Sequence, residues 1–280
     1  MPAELHRQRR AVADLLGFCE ASAAVTSLSV GCSLGRGAGD ALSDVDAAIG
    51  VGTAHGAAGA SRVREVEESL VRHLEDLGTV VDVLRQESLT GDFFIRRLFA
   101  QLEDRVQLDL AVIAEAEVRR GGSAPDFVPV YRTREQVEAV AFPSAHEVGE
   151  DRVHDWAFLG WRALLDTDKY LRRDSLWEAH DRLHEARQHV WALWATAHGA
   201  AYPWHGLSQV LDHDPSSLPA GIEATVAGLD VGELRRAVLA CVPVLDDVSE
   251  AAARRTSARL PTAMADYVRD VLAAGRSLRP

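Results

Sequence analysis

The chain has 280 residues, enough for two ordinary domains that each bury a core of their own. Its 47% hydrophobic and 26% charged residues are the balance of a soluble globular protein, and no run reaches the roughly 18 apolar residues of a membrane helix. A formal net charge of −12, with arginines and acids interspersed, weighs against a nucleic-acid partner, which asks for a basic track.

The N-terminal run "MPAELHRQRRAVADLL" is amphipathic and lacks the apolar middle of a secretory signal. Residues 3–22 suit a helix, with Val12, Leu15, Leu16 and Cys19 at helical spacing. Cys19, Cys32 and Cys241 are odd in number and show no CxxC spacing, so neither a disulfide framework nor a thiolate zinc site is indicated, and the cytoplasm is expected. Residues 25–33, "VTSLSVGCS", predict a strand running into the glycine-rich "GCSLGRGAGDALSDVD", and "VDAAIGVG" predicts a second. From Ser61 to Gly78 the residues Val63, Val66, Leu70, Leu74 and Leu77 form one helical stripe, which Gly78 stops. "TVVDVLRQ" predicts a third strand, and "RRLFAQLEDRVQLDLAVI" a hairpin turning near Glu103 and Asp104.

The stretch Gly121–Pro129 breaks this alternation, and residues 121–144 read as a linker. Beyond it the pattern is helical. Trp156, Trp161 and Leu164 share one stripe, and Leu183, Val190 and Leu193 another. A third helix is expected from Gly232 to Ala253 with a kink at Pro243, and a last one opening at Pro261. The expectation is an α/β (α+β) domain with a mixed sheet over 1–120, followed by an all-α helical bundle over 145–280.

Asp44 and Asp46 stand two apart on a predicted strand, so both side chains share a face. Side by side they repel, and a divalent cation offsets that repulsion; an oxygen-only site suits Mg²⁺ better than zinc. Asp109 sits on the polar-facing set of "VQLDLAVI", flanked by apolar residues. Left unpaired there it would cost several kcal/mol, so it needs a charged partner. A shared metal and a salt bridge to an arginine are the two candidates.

"SLGRGAGDALSDVDAAIGV" resembles the signature of DNA polymerase β-like nucleotidyltransferases, a turn followed by an Asp-x-Asp strand and a later Asp. The spacing is most similar to that of bacterial nucleotidyltransferases acting on aminoglycoside and lincosamide antibiotics. Ser33, Leu34, Gly35, Arg36, Ser43, Asp44 and Asp46 match their run, Asp109 matches the third carboxylate, and Cys32 stands where that family usually has glycine. The resemblance implies a nucleotidyltransferase, adenylyltransferase-like, with two Mg²⁺ ions on Asp44, Asp46 and Asp109. ATP or another nucleoside triphosphate would be the donor, held by Ser33, Gly35, Arg36 and Ser43. The acceptor would be a hydroxyl of a small molecule, in a cleft between the two domains. Lys169, the only lysine among 30 basic residues, stands where related enzymes bring a basic clamp from the helical domain; a solvated helix end explains it equally.

Other readings stand beside this one. "GRGAGD" suggests a dinucleotide fingerprint, but Asp40 occupies the third glycine position and a strand follows. His180 and His184 are spaced as helical metal ligands without a third partner, and sit more naturally beside an apolar stripe near Trp177 and Trp191. Ser175 and Glu178 fit a capping box, with Glu178 an alternative general base. Modification of a protein, as in toxin–antitoxin nucleotidyltransferases, a catalytically silent nucleotide-binding module, and homodimerisation all remain open.

Overall fold

Alternation along the strands decides the architecture of the N-terminal half. In the computed structural model, which describes residues 5–53, 57–90, 93–116, 126–133, 148–200, 202–213 and 216–275, the chain divides into two units, Met1–Ser144 and Ala145–Pro280. The first contains α1 (His6–Ala21), β1 (Val25–Val30), a single helical turn α2 (Cys32–Gly35), β2 (Val45–Val51) and α3 (Ala57–Asp76). It continues through β3 (Val80–Thr90), β4 (Phe93–Leu102), β5 (Gln107–Ala114) and β6 (Val128–Arg132). The six strands form one sheet in the order β3-β4-β5-β2-β1-β6. Only β2 and β5 run parallel, so the sheet is mixed, as the sequence led us to expect.

Alternate strand residues such as Leu28, Ile49, Leu98 and Leu110 are fully buried and share one core with Leu15 and Cys19 of α1 and Leu70 and Leu74 of α3. The other alternate set, which includes Asp46, Phe99 and Asp109, emerges on the opposite side of the sheet. Glu67 of α3 is completely buried and is held by Arg85 of β3, at 2.5 and 2.6 Å, and by Arg96 of β4, at 3.1 Å.

Two expectations are corrected here. The first strand stops at Val30, not at Ser33, because Cys32–Gly35 coil into a helical turn. The segment read as linker also contributes β6, which pairs antiparallel with β1, so the sheet extends past residue 120. "VPVYR" hides its strand character: four of its five residues are exposed and one is proline, so no alternation marks it.

The regular elements described in the second unit are all helices, the longer ones being α4 (Glu150–Arg172), α5 (Leu176–Ala197), α6 (Leu207–His213), α7 (Val231–Thr256) and α8 (Thr262–Gly275). Trp161, Leu164, Leu183, Val190, Leu193, Leu234 and Leu245 are its core. Asp230 caps α7 by accepting from the Glu233 N–H at 2.9 Å, and the helix continues unbroken through Pro243. At the start of α5 the Ser175 hydroxyl donates to the Glu178 carboxylate instead of capping the backbone, so no capping box forms. Trp177 is 75% exposed and borders no core. No helix among the described residues is long and apolar enough to cross a membrane.

Candidate active site

Parallel pairing of β2 and β5 sets Asp46 directly beside Asp109, and Asp44 lies two residues earlier on the same face. All three line a groove of about 440 Å³, together with Phe99 and Gln107. Burial pushes the Asp46 carboxyl above the usual carboxylate range; a hydrogen bond from the Cys32 thiol opposes this, and Asp109, Asp44 and Asp126 push it further up. Asp44 is raised as well, first by burial and then by Asp109. The Cys32 thiol is pushed up to about 12, first by burial and then by the charges of Asp46 and Asp126, so it remains an S–H donor at neutral pH. Two carboxylates crowded on one face in a partly buried groove are the kind of oxygen donors a hard cation takes.

Asp109 has an arginine as its partner. Arg97 of β4 grips its carboxylate at 2.7 and 3.0 Å and lies over the Phe99 ring at 5.1 Å. Among the described residues no group of three acidic, histidine or cysteine side chains is close enough together to hold one ion as it stands. Asp44 and Asp46 are oxygen donors of the right kind for Mg²⁺, and Asp109 lies beside Asp46 with its carboxylate engaged by Arg97.

The glycine-rich turn meets the groove at Asp46, whose carbonyl accepts from the Gly31 N–H at 2.8 Å. Cys32, the first residue of α2, adopts φ of 52°, a left-handed conformation uncommon outside glycine. Within the turn, Gly35 N–H donates to Gly31 O at 2.9 Å and Arg36 N–H to Cys32 O at 3.0 Å. The N–H groups of Cys32, Ser33 and Leu34 are those that the start of a helical turn leaves without an intrahelical partner. Gly35 has a definite packing reason: a Cβ there would lie 1.9 Å from the backbone oxygen of Asp126. Arg36 pairs with the buried Asp126 at 2.6 Å. Ser43 is engaged by the turn itself, its hydroxyl accepting from the Asp40 N–H at 2.9 Å.

Sequence reasoning missed Gln8, Arg97, Asp82 and Asp126. Gln8 of α1 is buried, and its amide donates to the carbonyls of Asp40, Ala41 and Ser43 at 3.3, 3.2 and 2.9 Å, which anchors the loop ahead of Asp44. A polar residue at helical spacing with Val12 and Leu15 was the available signal. Lys169 belongs to α4 of the second unit, where its ammonium pairs with Asp166 and lies 4.6 Å over the Tyr170 ring. Arg162 flanks the same Asp166 at 3.8 Å. His184 contacts Gln188 at 3.3 Å.

No family model matches the chain, and no curated protein matches it in sequence. Several solved structures resemble it. One is an aminoglycoside 6-adenyltransferase from Bacillus subtilis, 14% identical, covering 94% of this chain and 96% of its own at a TM-score of 0.40. Another is a nucleotidyltransferase-like protein from Exiguobacterium sibiricum 255-15, 11% identical, covering 89% and 78% at 0.36. A third is the GLD-2/RNP-8 complex, 12% identical, covering 71% and 51% at 0.31. Likenesses this loose fix neither chemistry nor substrate.

Proposed function

We propose that the chain is a nucleotidyltransferase that moves a nucleoside monophosphate, AMP by preference, from a Mg²⁺-bound nucleoside triphosphate to a hydroxyl of a small molecule. An aminoglycoside- or lincosamide-like compound is the acceptor class. The observation that carries this reading is the pairing of Asp46 with Asp109 across parallel strands, with Asp44 on the same face and a glycine-rich turn bonded to Asp46. The sequence signature and the groove both support this reading.

Asp44 and Asp46 would hold the cation, with Asp109 as the third carboxylate once Arg97 releases it. When bound there, Mg²⁺ would supply charge neutralisation at the triphosphate and make the acceptor hydroxyl more acidic. The chain's own residues supply the positioning. The N–H groups at the start of α2, with the Ser33 hydroxyl, suit phosphate oxygens, and the Arg36 guanidinium adds positive charge beside them. As the acceptor oxygen bonds to the α-phosphorus, the bond to pyrophosphate breaks and the hydroxyl proton passes to the Asp109 carboxylate. That proton transfer requires Asp109 to be released from Arg97, whose guanidinium is then free to face the anionic donor.

The test is incubation of the full chain with α-labelled ATP, GTP, CTP or UTP, Mg²⁺ and a panel of hydroxylated antibiotics, following label and pyrophosphate. One nucleotide should label a small molecule. The reaction should vanish with chelator and fall at least about a hundredfold in Asp46→Asn, the scale of losing a main charge-stabilising group. Full activity of Asp46→Asn would sink the assignment, and label on a polypeptide would move the acceptor class to protein.

A further inference from the structure

The groove does not end at the three carboxylates. Cross-strand register extends it over two further strands in two parallel rows. One row runs Asp46, Asp109, Phe99, Leu84. The neighbouring row runs Gln107, Gln101, Asp82, with Asp44 at the near end of β2. All of these side chains line the same groove.

Asp82 reaches this face through a local irregularity. The β3–β4 register shifts between Val80 and Asp82, so that Val80 pairs with Leu102 while Asp82 pairs with Gln101. Val80 packs on the core side. With unbroken alternation Asp82 would follow it there; the bulge turns it to the groove instead. Aspartate is disfavoured in strands, and the charged residues on the other face of β3 are paired, Arg85 with Glu67 and Glu87 with Arg64 and Arg96. Asp82 differs: it accepts only from its neighbour's N–H, Val83, at 2.8 Å, and among the described residues no cation pairs with it. It lies two strands from β5, or roughly 10–12 Å from Asp109, too far to share an ion whose ligands stand about 2 Å from it.

The amides between these ends are oriented. Gln101 donates to the carbonyls of Leu102 and Val106 at 2.9 and 3.3 Å, and its own carbonyl accepts from the Gln107 amide at 3.0 Å. This leaves the Gln107 carbonyl oxygen as the unused acceptor of that pair. The far end of the groove therefore offers the Asp82 carboxylate beside the apolar surface of the 56% exposed Leu84, with Phe99 one strand nearer, while the Gln107 oxygen lies at the near end on the strand of Asp109. Such a wall suits a donor-rich cation carried on a ring.

We propose that Asp82 is the specificity-determining residue of the acceptor site: it binds a protonated amine of the acceptor roughly 10–12 Å from the hydroxyl that receives the nucleotide, while the ring between them lies over Phe99 and Leu84. This rests on the nucleotidyltransferase reading and adds to it which acceptors are taken and where they are held. An acceptor that spans this distance has two or three rings. A neutral polyol of the same size fits the shape but leaves the carboxylate without its partner.

The test uses the full chain, a panel of two- and three-ring amino sugars and the per-N-acetylated form of each, with pyrophosphate release and titration calorimetry as readouts. Accepted compounds should carry an amine at the stated span, and N-acetylation should abolish acceptance. Asp82→Asn, which keeps size and hydrogen bonding, should raise KM for these acceptors by about 10- to 100-fold, the worth of one hydrogen bond to a charged group. The effect should fall on KM more than on kcat, and the calorimetric affinity should fall by the same factor. Equal turnover of acetylated and free compounds, an unshifted KM in Asp82→Asn, or an effect confined to kcat would overturn the proposal. So would rejection of every amino sugar by a chain that binds Mg²⁺-nucleotide. Failure to bind any Mg²⁺-nucleotide would instead overturn the nucleotidyltransferase reading, which keeps the two failures apart.

Discussion

Cys32 carries two opposing effects on stability. Its left-handed backbone, φ 52°, is unfavourable for any residue with a Cβ. Its thiol donates to the carboxylate of Asp46, which favours the ionised form. Asp46 titrates above its ordinary 3.8 in the folded chain, so the folded state holds that proton to higher pH than the unfolded state does. Stability therefore falls as pH rises through that window, and the thiol offsets part of the fall. Cys32→Gly relieves the backbone at every pH, and its loss of the thiol donor costs stability only where Asp46 is charged. It should stabilise the chain by about 1 kcal/mol at pH below the range in which Asp46 titrates, and by distinctly less above that range. Urea unfolding of both proteins below and above it measures this; an equal gain at both would mean that the thiol contributes nothing to ionised Asp46.

The glycine-rich turn is held from outside by the chain that leads into β6. A Cβ on Gly35 would lie 1.9 Å from Asp126 O and 2.9 Å from Val30 O, both backbone atoms that no rotamer change can move. Gly35→Ala should therefore cost about 1–3 kcal/mol, the range for forcing extra atoms into a packed site. It should show as a lower urea midpoint with an unchanged slope, and a midpoint equal to that of the parent would show that Asp126 gives way freely. This role of Gly35 was not legible in the sequence, because its partner is 91 positions away. β2 and β5 were legible: burial alternates along β5 and the first half of β2, and Asp46 and Asp109 stand out as charges among their apolar residues. β6 was not legible, because an edge strand with both faces open needs no alternation. The bulge hid the role of Asp82, since a one-residue irregularity reverses which face a side chain takes. Arg97 was hidden differently: its ion pair joins non-partnered positions of β4 and β5, a diagonal that composition cannot reveal.

Two units with two separate cores give the whole chain a thermodynamic signature that can locate the nucleotide. Such a chain need not unfold in one step, and a ligand stabilises only what must unfold for it to be released. A nucleotide held by Asp44, Asp46 and the turn alone should raise the unfolding of the first unit and leave that of the second where it was. At 100 times its Kd the ligand adds about 2.7 kcal/mol, and a unit of this size should then shift by roughly 5–10 °C. If Lys169 also clamps the triphosphate, it must leave Asp166 to do so, and both transitions should rise together. Calorimetric unfolding with Mg²⁺ and each nucleoside triphosphate, in the parent chain and in Lys169→Ala, separates the two. A shift confined to one transition and identical in Lys169→Ala assigns the nucleotide to the α/β unit and leaves Lys169 to its local ion pair. A joint shift that becomes a single-unit shift in Lys169→Ala makes the helical unit part of the donor site. No shift of either transition with any Mg²⁺-nucleotide would remove the donor site itself, and with it the proposed reaction.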